Sequence, residues 1–197
     1  MIELVHQIDF FLFEFINNDL SNNFFDWILP IFREKKTWIP LYIILFVFLV
    51  YKFKKKSIPI ILLALASIGM ADGISSHILK PLVERIRPCN LVELANNIHL
   101  RIHCSGGFSF PSSHAANHFA LAMFIGLALH KTNPWFLRIA LLWAGIISFA
   151  QVYVGVHFPI DVFSGMLLGF SIGVFLNFIL NEFKFKDSPF GLFKKKV

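Results

Sequence analysis

No long linker, internal repeat or low-complexity stretch divides this chain of 197 residues, which argues against a string of modules and for one domain, 1–197. Charge is scarce: 15% of residues are charged against 56% hydrophobic, and the mean hydropathy is +0.67. A soluble core of this size needs no such apolar excess, so the composition is that of an integral membrane protein. The first residues carry no basic cluster and no small-residue cleavage site follows them, so the N-terminus is not read as a signal peptide. Only two cysteines are present, which leaves one candidate disulfide.

What is present is a series of apolar stretches. Five candidate spans run from Trp38 to Tyr51, Ile58 to Leu79, Ala115 to Leu129, Trp135 to Val156 and Pro159 to Leu180. A crossing needs about 20 residues, so the first is expected to extend from Thr37 to Phe53. Before it, Glu3, Asp9, Glu14, Asp19 and Asp26 interrupt the apolar residues. That pattern reads as one or two amphipathic helices at the interface, or as a sixth short span. The expected fold is an all-α, polytopic transmembrane bundle of five to six spans. An interfacial segment occupies 1–36, the membrane core 37–182 and a basic cytoplasmic tail 183–197.

The net charge of +6 is an orientation signal and not a nucleic-acid footprint. Basic residues gather at Lys52 and Lys54 to Lys56, at Lys131 and Arg138, and in the tail at Lys184, Lys186 and Lys194 to Lys196. If five spans alternate, these clusters share one side, which the positive-inside rule makes the cytoplasm. Residues 80–113 and 153–161 then lie on the opposite face of a plasma membrane, exterior or periplasmic. Cys89 and Cys104 fall in that outer loop, as two free thiols or as a bridge limiting its freedom by about 3 kcal/mol.

Three polar motifs land on the same face. In KPLVERIRP, Lys80 and Arg87 stand seven apart, two turns if the segment stays helical, and a guanidinium beside an ammonium suits a phosphate. FPSSHAANHFA begins a span. Ser112 or Ser113 can cap it, so backbone N–H groups and the helix dipole favour an anion there, and His114 is placed to give a proton to a leaving oxygen. HAANH also invites a zinc reading, but there is no HExxH glutamate and no third ligand at an obvious spacing, so His118 is expected to pack or hydrogen-bond below the site. In QVYVGVHFPID, Pro159 opens the last span and puts Asp161 in its first turn, where the carboxylate can reach back, orient His157 and leave one ring nitrogen as a nucleophile. In the second span, Asp72 and His77 are ionisable, and His77, one turn from Lys80, is expected to support it.

The order Lys80, Arg87-Pro88, Pro111-Ser112-Ser113-His114, then His157 and Asp161 resembles the type 2 phosphatidic acid phosphatase family, which shares its site with vanadium haloperoxidases. The resemblance covers about residues 60–180. It implies phosphate ester hydrolysis without a metal or other cofactor, through a phosphohistidine on His157. Asp161 would orient His157, and His114 would protonate the leaving oxygen and later activate water. Lys80, Arg87, Ser112 and the amide of Ser113 would hold the phosphoryl oxygens. The implied substrate is a lipid phosphate: undecaprenyl diphosphate, phosphatidylglycerol phosphate, phosphatidic acid or the 1-phosphate of lipid A. Two positions depart from the family pattern. Ser113 stands where glycine is usual, a mild change because the amide remains. Gln151 stands where an arginine is usual six residues before the nucleophilic histidine, so one phosphate-binding cation is missing and a neutral amide is left. An arginine restored at 151 is expected on this reading to raise turnover. The rival readings are a lipid phosphotransferase, or a non-catalytic lipid-phosphate binder or transporter, to which the loss of charge at Gln151 gives weight.

Overall fold

A computed structural model describes residues 2–94 and 97–186, and among these the regular structure is all helical. The tail from 187 onward, with Lys194 to Lys196, lies outside the described residues. The principal helices are α1 (Ile2–Glu14), α2 (Asn23–Arg33), α3 (Ile39–Phe53), α4 (Ser57–Gly73), α5 (Lys80–Val83), α6 (Ser113–Leu129), α7 (Trp135–Tyr153) and α8 (Pro159–Lys186). Three helical runs are long and apolar enough to cross a membrane, Lys35–Val83, Trp135–Tyr153 and Pro159–Glu182, and Ser113–Leu129 is a shorter apolar helix. The first run is not one rod. Lys54 takes φ 50° and breaks it at the three lysines, so that α3 and α4 become two arms.

The α6 helix is the centre of the bundle. From Ala115 to Leu129 all but three of its residues are buried, because α4, α7 and α8 surround it. Ile60, Ala64 and Ala71 of α4, Ala116, Ala120 and Phe124 of α6, and Ile172, Leu176 and Leu180 of α8 form the largest apolar cluster. Outward faces carry exposed apolar side chains such as Ile44 and Val47 on α3, Leu62 and Leu65 on α4, and Phe175 and Phe178 on α8. Such faces are stable against lipid and not against water.

Backbone contact between α6 and α8 depends on three glycines spaced four apart. A Cβ on Gly165 would stand 2.4 Å from the carbonyl oxygen of Ser112, one on Gly169 2.3 Å from that of Ala116, and one on Gly173 2.7 Å from the Cβ of Met123. Small residues at this spacing let two helices approach to backbone distance where no hydrophobic force separates protein from lipid. At the upper end of the same contact the Ser112 amide donates to the Asp161 carbonyl at 2.9 Å.

The N-terminal elements are bound into the bundle. On α1, Phe13 is buried with Val152 and Phe158. The α2 helix, capped by the Asn22 side chain accepting from the Phe25 amide, packs Leu29 against Ala150 and Tyr153 of α7. It runs antiparallel to α7: the Tyr153 hydroxyl donates to Asp26 at 2.6 Å near the start of α2, and Trp38, just past its end, meets Trp143 edge-on at 5.6 Å. Arg101 fastens the outer loop to this corner, donating to Asn17 O, His99 O and Tyr153 O and pairing with Asp26. Cys89 and Cys104, left open on sequence, form a disulfide with Cα atoms 5.9 Å apart.

Gly169→Ala is expected to destabilise the protein by about 1–3 kcal/mol, because the α6 backbone cannot yield to the new methyl group. Thermal unfolding in detergent measures it against Gly145→Ala on α7, where a Cβ meets nothing within 4 Å and no loss is expected.

Candidate active site

The three motifs meet at the end of the bundle where α6 and α8 begin and α7 ends. Its foundation is the Asp161 carboxylate, fully buried in the first turn of α8. One oxygen accepts from the Phe158 amide at 2.8 Å and from the Ser109 hydroxyl; the other accepts from Arg85 at 2.6 Å. Arg85 reaches on to Asp9 of α1, whose second oxygen accepts from the Ile160 amide at 2.8 Å, and its guanidinium lies 4.2 Å over the Phe158 ring.

His157 stands in the tight turn between α7 and α8, which Gly155 makes with φ 88°, and is 3% exposed. Its Nδ1 lies 3.7 Å from Asp161, beyond hydrogen-bond reach, so the direct contact expected from the sequence is replaced by a bridge. The Ser109 hydroxyl, 3.3 Å from Nδ1, donates to Asp161 and is left to accept from the ring. That places the ring proton on Nδ1 and the lone pair on Nε2, the atom that meets an Arg87 N–H at 3.1 Å. Burial pushes the His157 imidazole down to about 4, so the ring is neutral near pH 7.

Arg87 does not arrive by two helical turns from Lys80. The helix stops at Glu84, whose φ is 51°, and the extended chain beyond carries Arg87 across to the α7–α8 turn. There its guanidinium, 7% exposed, donates to Val156 O and Gly107 O as well as to His157, and burial lowers its pKa. Lys80 ends a π-helical turn, Ile74–Leu79, and feels the charges of Arg87, Asp72 and Asp161.

The serines and histidines of α6 divide in role. Ser112 caps the helix by accepting from the Ala115 amide, and the Ser113 hydroxyl is held at 2.9 Å by both Ser75 and Ser76. His114 is in the first turn and half-buried. His118 lies a turn deeper, its Nδ1 at 2.7 Å from the His114 carbonyl oxygen and its ring 5.0 Å from Trp143. Among the described residues no three His, Cys, Asp or Glu side chains gather as a metal site would require. Asp72 accepts from Asn117 at 3.1 Å, whereas His77, expected to support Lys80, is exposed. Gln151 is fully buried, and neither polar atom of its amide has a hydrogen-bond partner.

The site thus presents a neutral imidazole whose Nε2 lone pair meets a guanidinium N–H, close to a capped helix N-terminus, the kind of terminus that favours anions. The family model that matches the chain, over residues 60–184, is that of the PAP2 superfamily. The chain belongs to that superfamily. It is 34% identical over 187 residues to a lipid A 4'-phosphatase of Bacteroides thetaiotaomicron, covering 92% of this chain and 81% of that one. Two solved structures are similar along most of their length. The Aquifex aeolicus LpxE structure superposes with a TM-score of 0.64 at 28% identity, over 86% of this chain and 94% of that one. The PAP2-type phosphatidylglycerolphosphate phosphatase of Bacillus subtilis gives 0.67 at 25% identity, over 95% and 89%.

Ser109, Arg85 and Asp9 were not singled out by the sequence motifs. Ser109 and Arg85 lie within a few residues of them, but nothing in spacing says which loop side chains turn inward. Asp9 carried a weak signal, as an acid on an otherwise apolar stretch. Arg85→Ala would leave two buried carboxylates unpaired, and a loss of about 3–5 kcal/mol is expected. Thermal unfolding measures it, and adding Asp9→Asn should recover part of the loss.

Proposed function

We propose that this PAP2 protein is an integral membrane lipid phosphatase acting from the non-cytoplasmic face, and that its substrate is the 4'-phosphate of lipid A. The single observation that carries the chemistry is the His157 ring, with Nδ1 held through Ser109 to Asp161 and Nε2 directed at Arg87. The preference for lipid A rests on the relative named as a lipid A 4'-phosphatase, which matches along 92% of this chain. This differs from the 1-phosphate named among the sequence-based expectations.

In this reading the phosphoryl oxygens accept hydrogen bonds from Arg87, the Lys80 ammonium, the Ser112 hydroxyl and the amide of Ser113. Nε2 of His157 attacks phosphorus while the bond to the lipid oxygen breaks, and His114 gives that oxygen its proton. The charge gained on Nδ1–H is balanced through Ser109 by Asp161. His114, now neutral, takes a proton from water, whose oxygen attacks phosphorus. The P–N bond breaks and inorganic phosphate leaves. Fixed cations and helix amides supply the transition-state stabilisation, and the scheme calls on no metal.

The proposed topology has five crossings, α3, α4, α6, α7 and α8, with α1 at the outer interface. It is supported by helix geometry: α4 and α6 are each 17 residues, about 26 Å at 1.5 Å per residue, so Lys54–Lys56 and the turn before Trp135 stand at the end opposite His157. That arrangement agrees with the positive-inside rule.

Purified protein incubated in detergent with 4'-phosphorylated lipid A is expected to release inorganic phosphate, faster than from phosphatidylglycerol phosphate or undecaprenyl diphosphate. His157→Ala is expected to abolish release while the protein stays folded. Activity within a few-fold of the parent would remove His157 as nucleophile, transfer only in the presence of a lipid acceptor would make the protein a phosphotransferase, and binding without turnover would make it a carrier.

A further inference from the structure

Gln151 leaves the PAP2 site one cation short on the sequence, and the structure brings another to the same corner from outside the matched region. Arg33 is the last residue of α2, four residues beyond Leu29 and therefore on the same helix face. Leu29 packs on Ala150 and Tyr153, and Trp38 meets Trp143, so the antiparallel course of α2 puts Arg33 beside α7 between those two levels. The α7 wall carries Ser148 at this height and Gln151 a turn nearer the site. Ala144 packs with Phe119 and Ala122 of α6, and Ser148 and Gln151 follow it at four and seven residues, sharing its face toward α6. Trp143 in turn touches His118, whose ring stacks 6.2 Å from that of His114. Arg33 thus stands in the corner where α2, α6 and α7 meet below the site.

Three features of this corner call for an anion. The Nε of Arg33 is buried with no hydrogen-bond partner, and the guanidinium forms no ion pair among the described residues; the acid whose charge acts on it is its chain neighbour Glu34. The wall beside it is also unsatisfied, since Ser148 and Gln151 are 3% and 0% exposed and neither side chain has a partner. Finally, the Arg33 charge is felt at both His114 and Arg87, so it adds to a cluster already positive. A basic residue in the last turn of a helix is common, because it complements the dipole. The dipole does not account for a buried Nε without a partner close to other cations, which is costly unless an anion completes the site.

We propose that Arg33 is a phosphate-binding cation of this active site, standing in for the arginine that the family carries at position 151, and that Gln151 is neutral because Arg33 already occupies that corner. The inference rests on the phosphatase reading and adds to it that the site is assembled across the N-terminal helices. The phosphoryl group is held by Lys80 and Arg87 on one side and Arg33 on the other, and charge spread over its oxygens in transfer is met by a bidentate guanidinium. An arginine placed at 151 in the unaltered protein would face a second cation with no acid to balance it. That reverses the gain expected on sequence alone.

The test is a double-variant cycle in detergent with 4'-phosphorylated lipid A, using Arg33→Gln, Gln151→Arg and the pair together. Arg138→Gln, at the other end of α7 over Trp135, serves as the control and is expected to behave as the parent. Arg33→Gln is expected to lower kcat/KM by about 10- to 100-fold, the loss of one charge-assisted contact made in the transition state. Inhibition by orthovanadate should weaken in parallel. Gln151→Arg should recover most of that loss in the Arg33→Gln background and give no comparable gain alone. Unchanged kcat/KM and vanadate inhibition in Arg33→Gln, or equal effects of Gln151→Arg in both backgrounds, overturns the proposal. If Arg33→Gln does not stay monodisperse, Arg33→Lys carries the test: a several-fold loss with weaker vanadate inhibition supports it, and an unchanged rate overturns it. A parent protein that releases no phosphate from any lipid phosphate defeats the phosphatase reading instead. The rise in melting temperature caused by orthovanadate then decides Arg33, being smaller in Arg33→Gln or Arg33→Lys if the proposal holds and equal if it does not.

Discussion

The approach of α6 to α8 at backbone distance is the constraint on which the site depends. His114 and Ser112 belong to one helix, Asp161 to the other, and His157 to the turn that feeds it. Their separations are set by how closely the two axes lie. Gly165, Gly169 and Gly173 hold the backbones together without intervening side chains. The hydrogen bond from the Ser112 amide to the Asp161 carbonyl fixes their relative height. In lipid such contact has to come from close packing, because the alternative to a neighbouring helix is an equally apolar tail.

On that frame the charges fall into two sets. Asp9, Arg85 and Asp161 form one set, in which Ser109 and two backbone amides also donate to the carboxylates. A buried carboxylate so satisfied stays charged and fixed, and can steady an imidazole through an intervening hydroxyl. The second set is different. Lys80, Arg87 and Arg33 have no carboxylate bound to them among the described residues, and Arg87 spends one N–H on the lone pair of His157. Acids neutralised in one set and cations left without acids in the other are the charge arrangement that the proposed phosphate site requires.

The N-terminal helices join both sets, through Asp9 in the first and Arg33 in the second. Their anchoring is polar as well as apolar: Arg101 and Asn17 tie the turn between α1 and α2 to the end of α7 and to the outer loop, which the Cys89–Cys104 disulfide closes. The family match begins at residue 60, so these helices lie outside the matched region while Asp9 still reaches Arg85 and the Ile160 amide.

The sequence alone determined the membrane class, the apolar helices and the residues of the three motifs, because each is written in local terms: run length, composition, and spacing along one helix or turn. It also marked Gln151 as a departure. What only the tertiary structure decided was everything carried by contacts between distant segments. Ser109 came between His157 and Asp161, Glu84 turned the chain so that Arg87 left the helical course expected for it, and His77 faced outward while Asp72 faced in. Asp9 and Arg33, an acid and a base on a stretch that read as interfacial, became neighbours of the site. A side chain's charge and period can be seen in sequence, but its partner is fixed by which helix faces pack together. For α6 and α8 that is settled by three glycines, whose four-residue spacing can be read in the sequence but does not say which helix they meet.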